Sequence, residues 1–326
     1  DPTPPAAPAT GARTVRVMED RDGQRIDNFL MGYLKGVPRS LVYKLLRSGQ
    51  VRVNGGRIKA ERRLEAGDEV RIPPIRLPDP DDKGTPPQGF MDALDAAIVF
   101  EDARLLALNK PSGVASHGGS GISHGAIETM RALRPNQGLE LVHRLDRDTS
   151  GILLVAKKRS ALTHLQDQFR ERETGKTYLA LVKGRWPANR KVIDTPLHKF
   201  LLADGERRVR VTQPDDPDGM RAITLVKVAR HWAAPAGLAD GLSLLEVTIK
   251  TGRTHQIRVH LASSGHPIAG DDKYGDFELN RRLLRAGLKR MFLHAWRLGL
   301  SHPGSGDVME LKSELPDELL PWVKFS

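Results

Sequence analysis

The 326-residue chain contains no cysteine. It therefore has no thiol nucleophile, no disulfide and no cysteine-ligated zinc, and this absence fits a reducing compartment such as the cytoplasm. No apolar run approaches the roughly 20 residues that cross a bilayer, so we expect no membrane-spanning segment. Aromatic residues make up only 5 % of the chain, which argues against a broad surface that stacks on bases.

Acidic residues are outnumbered by basic ones. Asp and Glu total 40, whereas Lys and Arg total 51, so the formal net charge is +11. An excess of this size suits a polyanionic partner, nucleic acid first and an anionic membrane surface second. The chain is long enough for two domains and a substantial core.

The densest cluster of charge in an apolar setting lies at residues 143–151, which read His-Arg-Leu-Asp-Arg-Asp-Thr-Ser-Gly. A mostly apolar run precedes this stretch at 139–142 and a fully apolar run follows it at 152–156, and both runs predict short strands. Charges this close to a core are costly unless they are paired. Residue types alone leave two interpretations about equally open, a salt-bridged structural turn and a functional loop.

Near the N-terminus the pattern predicts two helices followed by a β-hairpin. Apolar residues at helical spacing begin at Ile26, Ser40 is a plausible N-cap for the second helix, and Asn54-Gly55 suits a hairpin turn. Basic residues cluster on the second helix and the hairpin, among them Arg39, Lys44, Arg47, Arg52 and Arg57. Their clustering favours contact with phosphates over a merely solvated surface.

Composition divides the chain into four segments. Residues 1–11, rich in Pro and Ala, are predicted to be a disordered extension. Residues 74–89, rich in Pro, Asp and Gly, are predicted to be an extended linker. Between and beyond them we expect a small basic domain at 12–73 and a larger domain at 90–326.

Two further segments of the larger domain carry polar groups. Residues 176–182 predict a strand in which Tyr178 shares a face with Ala180. Thr254 is the predicted N-cap of a helix that runs to about Ser264. On this helix His255 lies three residues before Arg258, so the two side chains face one way.

Few catalytic groups remain once thiols are excluded. The histidines at 255, 260 and 266 lack the paired spacing of a zinc site, so we expect no metal. Asp146 would then act as a nucleophile or a base, and Arg258 is a fitting partner because a guanidinium stays charged and favours an ionised carboxylate. Tyr178 offers a face for a base and a phenol for proton transfer, although its residue type alone favours an ordinary half-buried strand aromatic.

Three motifs in a fixed order resemble those of a known family. They are His143-Arg144-Leu145-Asp146 with Thr149-Ser150-Gly151, then Lys176-Thr177-Tyr178, then Gly252-Arg253-Thr254-His255-Gln256-Ile257-Arg258. The chain from about residue 95 to 316 resembles the RluA family of RNA pseudouridine synthases, and residues 12–73 resemble the S4 RNA-binding domain. The resemblance implies an α+β fold in which a small helix-helix-hairpin domain is linked to a mixed, mainly antiparallel sheet with flanking helices.

The resemblance also implies a reaction and a set of roles. The reaction is the site-specific isomerisation of uridine to pseudouridine in large-subunit (23S) ribosomal RNA, on a flipped-out base. Asp146 would be the catalytic aspartate, Tyr178 would pack on the uracil and Arg258 would pair with Asp146. Arg144 and Lys176 would contact RNA, and Arg144 would fill the helix when the base leaves it. No cofactor or metal is implied because the product is an isomer, and we expect a cytoplasmic monomer.

Two other functions remain open from the sequence. One is a non-catalytic RNA-binding factor for ribosome assembly, against which the presence of Asp146, Tyr178 and Arg258 argues. The other is a carboxylate-dependent RNA hydrolase, which would shorten or depyrimidinate the RNA. An isomerase leaves the length and mass of the RNA unchanged, so the two activities are distinguishable.

Overall fold

The computed structural model describes residues 12–34, 37, 39–75, 85–119, 124–202, 206–233 and 241–324. The predicted extension at 1–11, most of the predicted linker and the side chain of Arg39 lie outside the described part. The chain divides into two compact units, residues 1–84 and 85–326. Within the described ranges, no helix combines the length and apolar character needed to cross a membrane.

The N-terminal unit contains two helices and a four-stranded antiparallel sheet in the order β1-β4-β2-β3. Its elements are β1 (Arg13–Arg16), α1 (Ile26–Tyr33), α2 (Arg39–Arg47), β2 (Arg52–Val53), β3 (Gly56–Arg57) and β4 (Glu69–Ile72). Asn54 and Gly55 turn the β2–β3 hairpin with φ of 50° and 77°. Positive φ at both positions is what an Asn-Gly turn accommodates, so the predicted hairpin is present.

A buried carboxylate ties the two helices of this unit together. Asp27 is 2 % exposed and accepts hydrogen bonds from the guanidinium of Arg25, at 2.7 and 3.1 Å, and from the Tyr43 hydroxyl at 2.9 Å. Burial by itself would favour the neutral acid, but these donors hold the pKa of Asp27 below its usual range. The charge is therefore satisfied beside a core that includes Ile26 and Val42.

The second unit is built on a long mixed sheet with flanking helices. Its strands are β5 (Ile98–Glu101), β6 (Leu105–Lys110), β7 (Glu140–Leu141), β8 (Ser150–Ala156), β9 (Gly175–Lys183), β10 (Val192–Asp194), β11 (Leu197–Leu201), β12 (Arg207–Val211), β13 (Ile223–Trp232), β14 (Leu242–Ile249), β15 (Leu293–Ser301) and β16 (Val308–Lys312). Its helices are α3 (Gln88–Ala96), α4 (Ala126–Leu133), α5 (Arg159–Glu171), α6 (Gln256–Ser263) and α7 (Phe277–Arg285).

Strand pairing in this sheet agrees with the predicted fold. The main order is β10-β13-β14-β9-β15-β8-β6-β5, with β16 beside β15 and β7 beside β8. Every pairing is antiparallel except that of β15 with β8. The strands β11 and β12 form a separate antiparallel hairpin. A mixed, mainly antiparallel sheet is therefore confirmed.

The parallel contact between β8 and β15 depends on a glycine. Gly151 lies opposite Ala295 and has a φ of +110°. A Cβ at this position would collide with the Ala295 carbonyl oxygen and lie 2.6 Å from its nitrogen. Only glycine allows this approach, so the Ser-Gly pair that ends the 143–151 loop anchors that loop at the middle of the sheet.

Helix α6 packs on the same sheet from one side. Its residues Ile257 and Leu261 share a core with Ala180 of β9 and Val247 of β14. The start of this helix differs from the prediction, because His255 and not Thr254 occupies the N-cap position. This packing places the buried Arg258 on the side of the sheet where the loop of residues 143–151 ends.

Candidate active site

A cleft of about 110 Å³ lies between the loop of residues 143–151, strand β9 and the start of α6. It is lined by Arg144, Leu145, Asp146, Thr149, Tyr178, Ile249, Gly252, Arg253, His255, Gln256, Ile257, Arg258 and Leu293. The three predicted catalytic residues, distant in sequence, thus line one cleft. Of the predicted RNA-contacting residues of this unit, Arg144 lines it and Lys176 does not.

The guanidinium of Arg258 is fixed by an aspartate to which the sequence analysis assigns no role. Its Nε and Nη2 donate to the two carboxylate oxygens of Asp271 at 2.8 and 2.7 Å, and both residues are almost fully buried. Burial lowers the pKa of Arg258, but the hydrogen bonds and charge of Asp271 outweigh it and raise the pKa above its ordinary value. The positive charge is therefore permanent and fixed in direction.

Asp146 lies beside the free edge of this guanidinium. Its Oδ2 is 3.6 Å from Arg258 Nη1 and 3.8 Å from His255 Nε2. Its side chain is 32 % exposed, and none of the described groups donates a hydrogen bond to its carboxylate. The structure therefore places a carboxylate at the cleft wall beside a guanidinium and an imidazole, with its oxygens available to a ligand.

Tyr178 forms another wall of the cleft. On β9 it lies opposite Val247 of β14 and Ala295 of β15, and its ring packs against two cores of the unit. Burial and then the charge of Asp146 raise the pKa of Tyr178. The phenol thus stays protonated at neutral pH, so its ring is available as a packing surface but not as an ionised base.

Residues 110–116 hold the loop that carries Asp146 in place through hydrogen bonds. The Ser116 hydroxyl donates to the Leu145 carbonyl at 2.9 Å and accepts from its backbone N–H at 3.0 Å. The fully buried Lys110 donates from Nζ to three backbone carbonyls, including that of Arg147 at 3.0 Å. Burial lowers the pKa of Lys110 to about 7. These bonds fix the backbone on both sides of Asp146.

Lys176 does not line the cleft. Its Nζ is 5.2 Å from the centre of the Phe169 ring, on which His143 stacks at 4.8 Å. Burial and then the charge of Lys176 lower the pKa of His143 to about 4. His143 is therefore a neutral structural residue, and its Nε2 accepts from the Leu154 backbone N–H at 3.1 Å.

The basic residues predicted to bind RNA in the other unit are exposed where they are described. Lys44 and Arg47 lie in the last turn of α2, and Arg52 and Arg57 face each other across the β2–β3 hairpin. All four have exposed side chains. They thus form one basic surface on adjoining elements of the N-terminal unit.

One group of potential metal ligands that was not predicted from the sequence occurs in the described part of the chain. It consists of His198, Asp216 and Asp218, and none of the three lines the cleft. The Asp216 carboxylate already accepts from the Thr212 hydroxyl at 2.5 Å and from the Asp218 backbone N–H at 2.9 Å, and His198 Nδ1 lies 2.8 Å away. The hydrogen-bonded turn accounts for this arrangement.

Asp271 and Tyr274 are the residues that motif reasoning missed. Both lie in the segment Gly270-Asp271-Asp272-Lys273-Tyr274-Gly275, where Asp271 binds Arg258 and Tyr274 binds His255. A buried arginine implies an acidic partner, and this was the signal by which Asp271 could have been found. Nothing in the sequence distinguishes Asp271 from Asp146 or Asp272 as that partner.

Comparison with known proteins agrees with this geometry. Residues 104–263 match the family model for RNA pseudouridylate synthases, and residues 24–70 match that for the S4 domain. The chain is 51 % identical over 311 residues to ribosomal large subunit pseudouridine synthase C of Escherichia coli (strain K12), covering 94 % of each chain. It is 47 % identical to the protein of the same name from Haemophilus influenzae, over 95 % of this chain and 94 % of the relative.

A solved structure supports the same assignment. Human RNA pseudouridylate synthase domain containing 1 is similar with a TM-score of 0.57 and 29 % identity, over 70 % of this chain and 85 % of that one. The family and the α+β fold predicted from the motifs are thereby confirmed. The chain belongs to the family of RNA pseudouridine synthases, and it carries an S4 domain ahead of the synthase domain.

Proposed function

We propose that this isomerase converts specific uridines of large-subunit ribosomal RNA to pseudouridine, with Asp146 as the catalytic carboxylate. The observation that carries the proposal is the position of Asp146 Oδ2, 3.6 Å from a guanidinium that Asp271 holds in place. The substrate class is supported by the relatives named as synthases of the ribosomal large subunit. A monomeric state and a cytoplasmic location stay predictions.

The reaction has three steps. The target uridine leaves the stack, since its glycosidic bond is otherwise inaccessible. The bond from C1′ of the ribose to N1 of the uracil breaks, and a bond from C1′ to C5 forms after the base turns. C5 then loses its proton to solvent and N1 gains one, so the product has the composition of the substrate and no co-reactant is consumed.

The residues of the cleft suit these steps. Asp146 acts at the sugar, either by attack on C1′ or by stabilising its positive charge while the base is detached. Arg258 places a permanent positive charge 3.6 Å from that carboxylate. Tyr178 stays neutral and supplies an aromatic face for the detached uracil. Arg144 is exposed at the rim of the cleft, where its guanidinium can occupy the space that the flipped base leaves.

The S4 domain supplies a second contact with RNA in this proposal. Its exposed basic surface, formed by Lys44, Arg47, Arg52 and Arg57, suits phosphates, and phosphate contacts fix the position of a protein on RNA without reading its sequence. Lys176, which does not line the cleft, lies over the Phe169 ring, on which His143 of the 143–151 loop stacks.

The test replaces Asp146 by Asn, which keeps the shape and removes the charge. Transcribed large-subunit RNA labelled with tritium at C5 of uridine reports each turnover as tritium released to water. We expect no release from Asp146→Asn, with RNA affinity within about twofold of the original because phosphate contacts dominate binding. Asp148→Asn is the matched control, since Asp148 is 33 % exposed in the same loop and pairs with Arg147 instead.

Three results would count against the proposal. Tritium release by Asp146→Asn at nearly the original rate would remove Asp146 from the chemistry. Shortened RNA or free uracil would indicate a hydrolase. Ribosomal RNA from cells that lack the protein, mapped for pseudouridine, should miss specific large-subunit positions, and an unchanged map would refute the proposed substrate.

A further inference from the structure

His255 has a backbone conformation that few residues adopt. Its φ of 53° and ψ of 19° lie in the left-handed region, which costs a residue with a Cβ of the order of 1 kcal/mol. The turn is braced by the Gln256 side-chain oxygen, which accepts from the Thr251 hydroxyl at 2.8 Å and from the Arg253 backbone N–H at 3.1 Å. The imidazole lines the cleft, and its side chain is 14 % exposed.

The two ring nitrogens of His255 meet different partners. Nδ1 lies 2.8 Å from the Tyr274 hydroxyl, and Nε2 lies 3.8 Å from Asp146 Oδ2. The Tyr274 oxygen also accepts the Val209 backbone N–H at 3.1 Å. Since burial raises the pKa of Tyr274, its phenol keeps its hydrogen and can donate it to Nδ1. The hydrogen of a neutral imidazole is then on Nε2, facing Asp146.

The charge around the ring keeps it neutral. Burial lowers the pKa of His255, and the positive charges of Arg258 and Lys273 add to that effect, whereas Asp146 and Asp271 oppose it. The net result is a pKa below the ordinary value. At neutral pH the imidazole thus directs an N–H toward Asp146, at 3.8 Å, without being its counter-ion.

Both neighbours of the catalytic carboxylate approach the same oxygen. Arg258 Nη1 and His255 Nε2 lie 3.6 and 3.8 Å from Oδ2 of Asp146. These distances are long for hydrogen bonds in the free protein, and contacts of this kind shorten when substrate fills a site. With Oδ2 engaged from two sides, Oδ1 is the oxygen left for the sugar.

We propose that His255 is a positioning residue, held by the Tyr274 hydroxyl, which orients the Asp146 carboxylate so that Oδ1 meets the substrate. The inference rests on the proposed role of Asp146. It also predicts an effect of pH: below the pKa of His255 the imidazolium would pair with Asp146 and restrain the carboxylate. The same ring that orients Asp146 would then inhibit it in acid.

Single-turnover measurements with saturating labelled RNA test this role. His255→Ala should lower the rate of tritium release by about 10²-fold, the loss that a small misplacement of a reacting group can cause, with RNA affinity within about threefold. His255→Gln should recover part of the rate, because its amide nitrogen reaches the place of Nε2. Thr254→Ala, an exposed neighbour in the same turn, is the control and should keep the original rate.

A double-mutant cycle and a pH series separate positioning from folding. Tyr274→Phe should slow the reaction by itself, yet add little to His255→Ala, because the hydroxyl acts through the ring. The decline in rate on the acid side should move to lower pH in His255→Gln, where no imidazole titrates. Additive losses, or an unchanged acid decline, would overturn the inference.

Asp146→Asn is measured in parallel so that the two proposals fail separately. If Asp146→Asn is inactive while folded His255→Ala keeps the original rate at every pH, only the role of His255 is wrong. If Asp146→Asn remains active, the proposed function itself is wrong. Thermal unfolding of each variant identifies any that fail to fold. If His255→Ala does not fold, the rate and pH profile of His255→Gln decide the role of His255.

Discussion

Replacing Asp271 by Asn tests the ion pair that fixes Arg258. The two side chains are 1 % and 3 % exposed and joined by hydrogen bonds of 2.7 and 2.8 Å. Removing the charge of one partner from such a buried pair costs about 3–5 kcal/mol, because the other charge is left uncompensated. For a domain of this size the same loss corresponds to a fall in Tm of roughly 6–20 °C.

Asp272→Asn is the control for this prediction. Asp272 lies 3.4 Å from the same nitrogen, Nη2 of Arg258, but its side chain is 71 % exposed. An exposed pair contributes about 0–1 kcal/mol, so the control should unfold almost as the original protein does. Urea unfolding of the original protein, Asp271→Asn and Asp272→Asn measures the difference. Equal midpoints for the two variants would refute the contribution to stability that is assigned to the buried pair.

The effect should also depend on pH. Burial opposes the charged form of Asp271, but the guanidinium of Arg258 and the backbone N–H groups of Lys273 and Tyr274 hold its pKa below the ordinary value. The folded state therefore binds a proton less readily than the unfolded chain, in which an aspartate has a pKa of about 3.9. This stabilisation is present above that pH and is lost as pH falls through the folded value. Asp271→Asn should lack that part of the acid destabilisation.

Three further predictions follow from the fold. Gly151→Ala should destabilise severely in thermal unfolding because its Cβ meets the Ala295 backbone, whereas Gly113→Ala, with positive φ but open space, should lose only about 1 kcal/mol. Lys110→Met should lower the urea midpoint by the equivalent of about 2–4 kcal/mol, since three carbonyls lose their donor; an unchanged midpoint would contradict this. A chain that starts at Thr85 should keep single-turnover activity but bind RNA more weakly, with a log–log salt slope shallower by about 0.9 for each lost phosphate contact; an equal slope would exclude the S4 domain as an RNA anchor.

Local features of the chain were sufficient for much of this description. The apolar runs beside residues 143–151 predict strands that correspond to β7 and β8, because alternation and run length are properties of neighbouring residues. Asn54-Gly55 predicts its turn for the same reason. The absence of cysteine and the excess of basic residues limit the chemistry and the partner before any fold is known. The motifs around Asp146, Tyr178 and Arg258 identify residues that the structure places in one cleft.

Long-range contacts determined the rest. Arg258 binds Asp271 with two hydrogen bonds and approaches Asp146 only to 3.6 Å, and this choice depends on distances between separate elements, which no spacing in the sequence encodes. Thr254 has the residue type of an N-cap, yet His255 takes that position, in a turn that the side-chain bonds of Gln256 brace. Lys176 belongs to a motif of the family and shares a face of β9 with Tyr178, yet it does not line the cleft, because its long side chain packs over the Phe169 ring. Ion-pair choice, strained backbone and side-chain direction all follow from packing between distant segments, and packing exists only in the folded chain.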